Sequence, residues 1–144
     1  MVSIELVQDS RKVFSFQVAE RTARLDEPRP TPWTDVLLDS LHDLLASKMV
    51  ALVERGAPRD FRDVHAICQN GLSTAAECWR LWRERQQLAR ASADSERARL
   101  AVRTHLARIA AQRPLESIQD PDERTSVART RDWYEKELLD ALVD

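Results

Sequence analysis

The sequence predicts an α+β fold that is mostly helical, with a short N-terminal β-hairpin followed by a bundle of about five helices. Three observations support this prediction. Apolar and polar residues alternate at the start of the chain, as they do in half-buried strands. From Asp39 onward the apolar residues recur at helical spacing. Only two glycines occur in 144 residues, which argues against a β-rich fold with many tight turns.

The hairpin is predicted from two alternating segments, residues 2–6 and 14–18, joined by a polar turn near residues 8–10. A two-stranded hairpin is marginal alone. We therefore expect it to be completed by further strands, by another chain or by self-association. Residues 1–33 form the first predicted unit. Its second part, from residue 20, contains three prolines and is predicted to be an extended linker.

Residues 34–144 form the second predicted unit, a helical domain whose elements are delimited by caps and breakers. The signals, in chain order, are Ser40 and Gly56 for the first helix, Pro58 and Gly71 for the second, Thr74 for the third, Ser92 or Ser95 and Pro114 for the fourth, and Asp120 for the fifth. We see no internal repeat.

Composition narrows the class of protein. No segment is apolar for long enough to cross a bilayer, and the start lacks the basic and apolar regions of a signal peptide. We therefore expect a cytoplasmic protein that does not contact a membrane. Cys68 and Cys78 then fit free core thiols in a reducing compartment. The scarcity of glycine excludes a Gly-rich phosphate loop within this chain.

Charge is unevenly distributed, although the formal net charge is only −2. Residues 80–113 carry 9 basic and 3 acidic residues. Trp79 directly precedes this stretch, and Trp82 lies near its start. Such a segment could bind RNA phosphates and stack bases. Because both tryptophans fall on the apolar stripe of the third helix, we interpret them as core residues and the arginines as a solvated face.

Lys48, Asp60 and Asp63 are the best candidates for chemistry. Lys48 lies on the apolar stripe of the first helix, where its ammonium group must reach solvent or meet an anion. Asp60 and Asp63 are three residues apart and share a face of the second helix. A snorkelling lysine and a structural ion-pair cluster between the two helices, including a Lys48–Asp60 bridge, are the alternative interpretations.

These residues resemble the AbiEii/AbiGii family of toxin-like nucleotidyltransferases. Asp43, Ala46 and Lys48 match a D-x-x-A-x-K pattern on a helix. Asp60 and Asp63 match the R/K-D-F/Y-x-D segment that follows this helix after a turn in the family. The strand at residues 3–6 and the Pro-rich connection also correspond. The resemblance is good over residues 4–68 and loose beyond.

The resemblance implies a polymerase-β-like nucleotidyltransferase fold, with the hairpin as a remnant of its sheet. Family members bind an NTP with Mg²⁺ and transfer a nucleotidyl group, in some members to tRNA. They act as the toxin of a toxin–antitoxin pair. By this resemblance Lys48, Asp60 and Asp63 would be catalytic, and Lys48, Arg55 and Arg59 would contact the substrate.

The family's Gly-Ser loop and Asp-x-Asp pair have no counterpart in the sequence. Glu5 would stand where the third metal-site acid lies, and one carboxylate cannot hold Mg²⁺ ions that need several oxygen ligands. We therefore expect a truncated or split nucleotidyltransferase, represented by its C-terminal portion and inactive alone. The alternative is a non-catalytic helical module that binds a protein partner such as an antitoxin. An exposed hairpin edge also allows a homo-oligomer.

Overall fold

The computed structural model describes residues 2–18 and 23–141 and confirms a mostly helical α+β fold. Strands β1 to β4 span Val2–Gln8, Arg11–Val18, Arg29–Thr31 and Thr34–Leu38. Helices α1 to α5 span Leu41–Glu54, Pro58–Gln69, Ala75–Leu88, Ser95–Gln112 and Pro121–Trp133. A 3₁₀ turn at Leu115–Ser117 precedes α5, and a π-helical turn at Tyr134–Leu138 continues from it.

The predicted N-terminal hairpin is confirmed. β1 pairs with β2 in antiparallel register, with Leu6 opposite Phe14. Asp9 and Ser10 form the tight turn and both have positive φ angles. The paired Leu6 and Phe14 are 55% and 56% exposed, so more than half of each apolar side chain faces solvent.

The extended linker predicted over residues 20–33 is wrong in its last part. Residues 20–22 lie outside the described residues. Further along the predicted linker, β3 pairs with β4 in a second small hairpin. The hydroxyl groups of Thr31 and Thr34 lie 2.6 Å apart across its turn. Pro30 fits within β3 because a two-stranded sheet leaves an outer edge where a missing N–H group is tolerated. The predicted unit boundary between residues 33 and 34 falls in this turn.

The capping signals predicted the helix starts well. The Ser40 hydroxyl accepts a hydrogen bond from the backbone N–H of Asp43 at 3.0 Å, and the Thr74 hydroxyl accepts one from Glu77 at 3.2 Å. Asp120 caps α5 as expected. The cap of α4 is Asp94, between the two serines that the sequence offered. These side chains satisfy backbone donors that the first helical turn leaves unpaired.

The core lies between the helices, and both Trp79 and Trp82 belong to it, with exposures of 0% and 2%. Trp79 Nε1 donates a hydrogen bond to the Leu138 carbonyl at 2.7 Å. The buried Tyr134 hydroxyl donates to the Phe61 carbonyl at 2.9 Å. The π-helical turn is thereby fixed against α2 and α3, and the interpretation of the tryptophans as core residues is confirmed.

Asp43 connects the segment before the second hairpin to the bundle. Its carboxylate is 1% exposed and accepts hydrogen bonds from the backbone N–H groups of Leu25 and Asp26 at 3.0 and 2.9 Å. Arg85 on α3 lies 3.2 Å away. Burial opposes ionisation of this carboxyl group, but the backbone donors and Arg85 outweigh it, so its pKa is lowered.

Candidate functional site

Lys48 and Asp63 form an ion pair between α1 and α2. The Lys48 ammonium lies 2.5 Å from Asp63 Oδ2, and the two side chains are 32% and 41% exposed. The sequence places Lys48 one turn after the buried Leu45 and one turn before the buried Leu52, so its side chain leaves the core at the edge of the apolar stripe. The result is a cation and an anion that are held together and remain accessible to a ligand.

Asp60 has a different environment from Asp63. Its side chain is 0% exposed, and it accepts two hydrogen bonds from Arg55, at 2.9 and 3.0 Å, and one from the Ala57 backbone at 3.2 Å. The hydrogen bonds from Arg55 are the main reason why the pKa of Asp60 is lowered, against the effect of burial. Asp60 therefore stabilises the turn between α1 and α2.

The two acids thus have separate basic partners. The interpretation of Lys48 and Asp60 as one bridge is wrong, because Lys48 pairs with Asp63 and Asp60 pairs with Arg55. The guanidinium of Arg55 is committed to Asp60 but its side chain is 52% exposed. Arg59 is exposed on the first turn of α2, where it is free to approach an anionic ligand.

Gly56 lets α4 approach the turn between α1 and α2. Its φ angle is +53°, and a Cβ atom there would collide with the side chain of His105. His105 Nε2 lies 3.2 Å from the Val53 carbonyl, and Arg108 Nη2 donates to the Arg55 carbonyl at 3.0 Å. Sequence reasoning missed both α4 residues, since no local pattern shows which helix faces the turn.

The described residues, 2–18 and 23–141, do not fit a Mg²⁺ site. Glu5 is exposed on β1, and its carboxylate forms an ion pair with Lys12. Within residues 2–18 and 23–141, no group of three or more His, Cys, Asp or Glu side chains is arranged to hold a metal ion. Mg²⁺ prefers several oxygen ligands in octahedral geometry. A single carboxylate beside a lysine does not supply them.

His65 and Arg80 have structural partners within the helical bundle. His65 Nδ1 lies 3.1 Å from the Thr130 hydroxyl, and its ring packs 5.2 Å from that of Trp133. Burial lowers the pKa of His65. In the basic stretch, Arg80 pairs with Glu77 and with a second glutamate on α3. Over the part of the chain that the structure describes, no helix has the length and hydropathy to span a membrane.

A known family matches most of the chain. Residues 1–137 match the family described as "Nucleotidyl transferase AbiEii toxin, Type IV TA system". Because the match covers nearly the whole chain, this protein belongs to the AbiEii family of nucleotidyltransferase toxins. The match extends far beyond residue 68, where the resemblance in the sequence becomes loose. No curated protein and no solved structure shows significant similarity to the chain.

Proposed function

We propose that this chain contributes Lys48 and Asp63 to the site of a nucleotidyltransferase that moves a nucleotidyl group from an NTP to an RNA acceptor, including tRNA. The observation that supports this role is the accessible Lys48–Asp63 pair, with a separation of 2.5 Å. Both residues belong to the sequence patterns that resemble the family. The proposed place of action is the cytoplasm.

Lys48 supplies a compact positive charge for the triphosphate. Its ammonium group has three donors, so it can keep its hydrogen bond to Asp63 while donating to a phosphate oxygen. In the transfer, the acceptor hydroxyl oxygen bonds to the α-phosphorus and loses its proton to solvent, while the bond from the α-phosphorus to the bridging oxygen breaks and pyrophosphate leaves. Positioning and charge stabilisation provide most of the catalysis in such reactions, and Asp63 holds Lys48 in place for both.

Asp60, predicted as catalytic by the family pattern, acts in this proposal through Arg55 and the turn. Because its carboxylate is fully buried, it contributes by holding α1 and α2 at the spacing that brings Lys48 to Asp63. Arg59 is exposed and is the further cation that we propose for the substrate phosphates. Arg55 contributes through the exposed part of its side chain.

We propose that the chain is inactive alone. Mg²⁺, which the family resemblance implies, needs carboxylates beyond Glu5, and the described residues do not assemble them. The Gly-Ser loop and the Asp-x-Asp pair would then come from another segment or another chain.

The test is a transfer assay with α-labelled NTPs, mixed tRNA and Mg²⁺. It is run on the full chain alone and with a polypeptide that carries the family's Gly-Ser loop and Asp-x-Asp strand. Lys48→Met should lower transfer in the complemented mixture by roughly 10²–10³, as loss of a charge-stabilising group does. Lys136→Met is the matched control, since Lys136 pairs with Asp132 on the surface of the bundle. Unchanged transfer by both Lys48→Met and Asp63→Asn would refute the proposal.

A second candidate function is a non-catalytic module that binds an antitoxin. The exposed apolar side chains of the two hairpins favour it, including Leu6, Phe14 and Trp33, the last being 78% exposed. Under this reading Trp33→Ser should weaken antitoxin binding in a calorimetric titration, whereas Lys48→Met should leave it unchanged. The opposite pattern would exclude the module as the main function.

A further inference from the structure

We propose that Cys68 and Cys78 form a reversible intramolecular disulfide, so that this pair is an oxidation site in the helical bundle. The two sulfur atoms lie 3.5 Å apart, although the residues belong to different helices. Both cysteines are free thiols. The proposal concerns the thiols alone and does not depend on the nucleotidyltransferase function.

The connection between the two cysteines can accommodate the bond. Cys68 lies at the end of α2 and Cys78 in the first turn of α3. The sulfurs must approach by roughly 1.5 Å to reach a bonded separation of about 2.0 Å. The intervening loop contains Gly71, where an added Cβ atom would meet nothing within 4 Å beyond the adjacent residues of the chain, and Leu72, which is 58% exposed. A small movement of this loop therefore meets no packed neighbour at Gly71.

The two thiols differ in access, and this difference sets their roles. Cys68 is partly exposed, whereas Cys78 is buried. The hydrogen bond between the thiols lowers the pKa of Cys68, while that bond and burial raise the pKa of Cys78. Because the thiolate is the reactive form, Cys68 is the sulfur that an oxidant reaches first, and Cys78 is the resolving thiol.

With hydrogen peroxide as the oxidant, the chemistry has two steps. The Cys68 thiolate attacks one peroxide oxygen, the O–O bond breaks, and protonation gives a sulfenic acid and water. The Cys78 sulfur then attacks the Cys68 sulfur, the S–O bond breaks, and hydroxide leaves and takes the Cys78 proton to form a second water. Two thiols are oxidised to one disulfide while one peroxide is reduced to two waters.

The disulfide would covalently join α2, which carries Asp63, to α3. It closes a short loop between positions 10 residues apart and restricts the unfolded chain. We expect the melting temperature to rise by about 5–10 °C on oxidation, given the usual effect of such a loop in a domain of this size.

The experiment treats the reduced full chain with hydrogen peroxide, blocks the remaining thiols with an alkylating reagent and maps the peptides by mass spectrometry. We expect a cross-linked peptide that joins Cys68 and Cys78, a protein mass lower by two hydrogen atoms, and full reversal by dithiothreitol. Cys78→Ala should instead accumulate sulfenic and sulfinic acids on Cys68. Cys68→Ser should leave Cys78 unmodified.

The mapping of the wild-type chain decides the proposal even if a variant does not fold. Sulfinic acid on Cys68 without a 68–78 cross-link would overturn it, and so would a disulfide between two copies of the chain. Two thiols that both remain free under peroxide would also overturn it.

Discussion

Replacing Asp60 by asparagine separates the structural role of this residue from the role of the Lys48–Asp63 pair. The buried carboxylate accepts two hydrogen bonds from Arg55 and one from the Ala57 backbone. Hydrogen bonds to charged groups contribute about 1.5–3 kcal/mol each. Asparagine keeps part of this set, and the half-exposed Arg55 can return to water. The expected loss is therefore about 2–3 kcal/mol of unfolding free energy.

The comparison variant is Lys48→Met. Because its partner Asp63 is 41% exposed and Lys48 itself is 32% exposed, the loss should stay below about 1 kcal/mol. Urea denaturation followed by tryptophan fluorescence measures both variants. With a slope of about 2 kcal/mol/M, the midpoint of Asp60→Asn should fall by roughly 1–1.5 M and that of Lys48→Met by less than about 0.5 M.

A reversed order, with Lys48→Met the more destabilised variant, would contradict the structural role of Asp60. The same role is contradicted if Asp60→Asn retains wild-type stability within about 0.5 kcal/mol and yet abolishes transfer in the complemented assay. That second result would make Asp60 a catalytic residue in the direct sense.

Three further predictions concern the frame around the site. Gly56→Ala should lower the unfolding free energy by about 2–4 kcal/mol, because backbone strain at positive φ adds to a collision of the new Cβ atom with His105. Gly71→Ala has the backbone strain alone, at φ +69°, and should lower the unfolding free energy by about 1 kcal/mol. Burial lowers the pKa of His65 below about 6.5. The stabilisation from the neutral imidazole is therefore present above about pH 6.5 and is lost as pH falls through the folded pKa. Between about pH 7.5 and pH 5 the melting temperature should fall less for His65→Gln than for the wild type. Asp43→Ala should lower the melting temperature and raise proteolysis near residues 23–26, and equal cleavage of both proteins would contradict the role of Asp43.

Local signals in the sequence predicted the helices, but they could not predict the contacts between segments that are distant in the chain. Ser40 and Thr74 identify helix starts because their hydroxyls bond to a backbone N–H three residues away. The β3–β4 hairpin was missed because its prolines also fit an extended linker. Asp60 and Asp63 share a helix face in the sequence, yet only packing makes one buried and the other accessible. The approach of Cys68 to Cys78 likewise depends on the angle between two helices.

The hydrogen bonds from the backbone at residues 25 and 26 to Asp43 have a consequence for protein engineering. The donors at positions 25 and 26 are backbone amides, so neither position tolerates proline. The side chains there have their own contacts: Leu25 packs against the core, and the Asp26 carboxylate lies 3.1 Å from His42 Nδ1. The Asp43 carboxylate is the part that cannot be replaced. A chimera that joins the N-terminal segment of another AbiEii member to this helical bundle should therefore keep its alignment if residue 43 and its partner Arg85 come from the same parent. The incoming segment also needs an apolar side chain at position 25, because Leu25 packs against the core of the bundle.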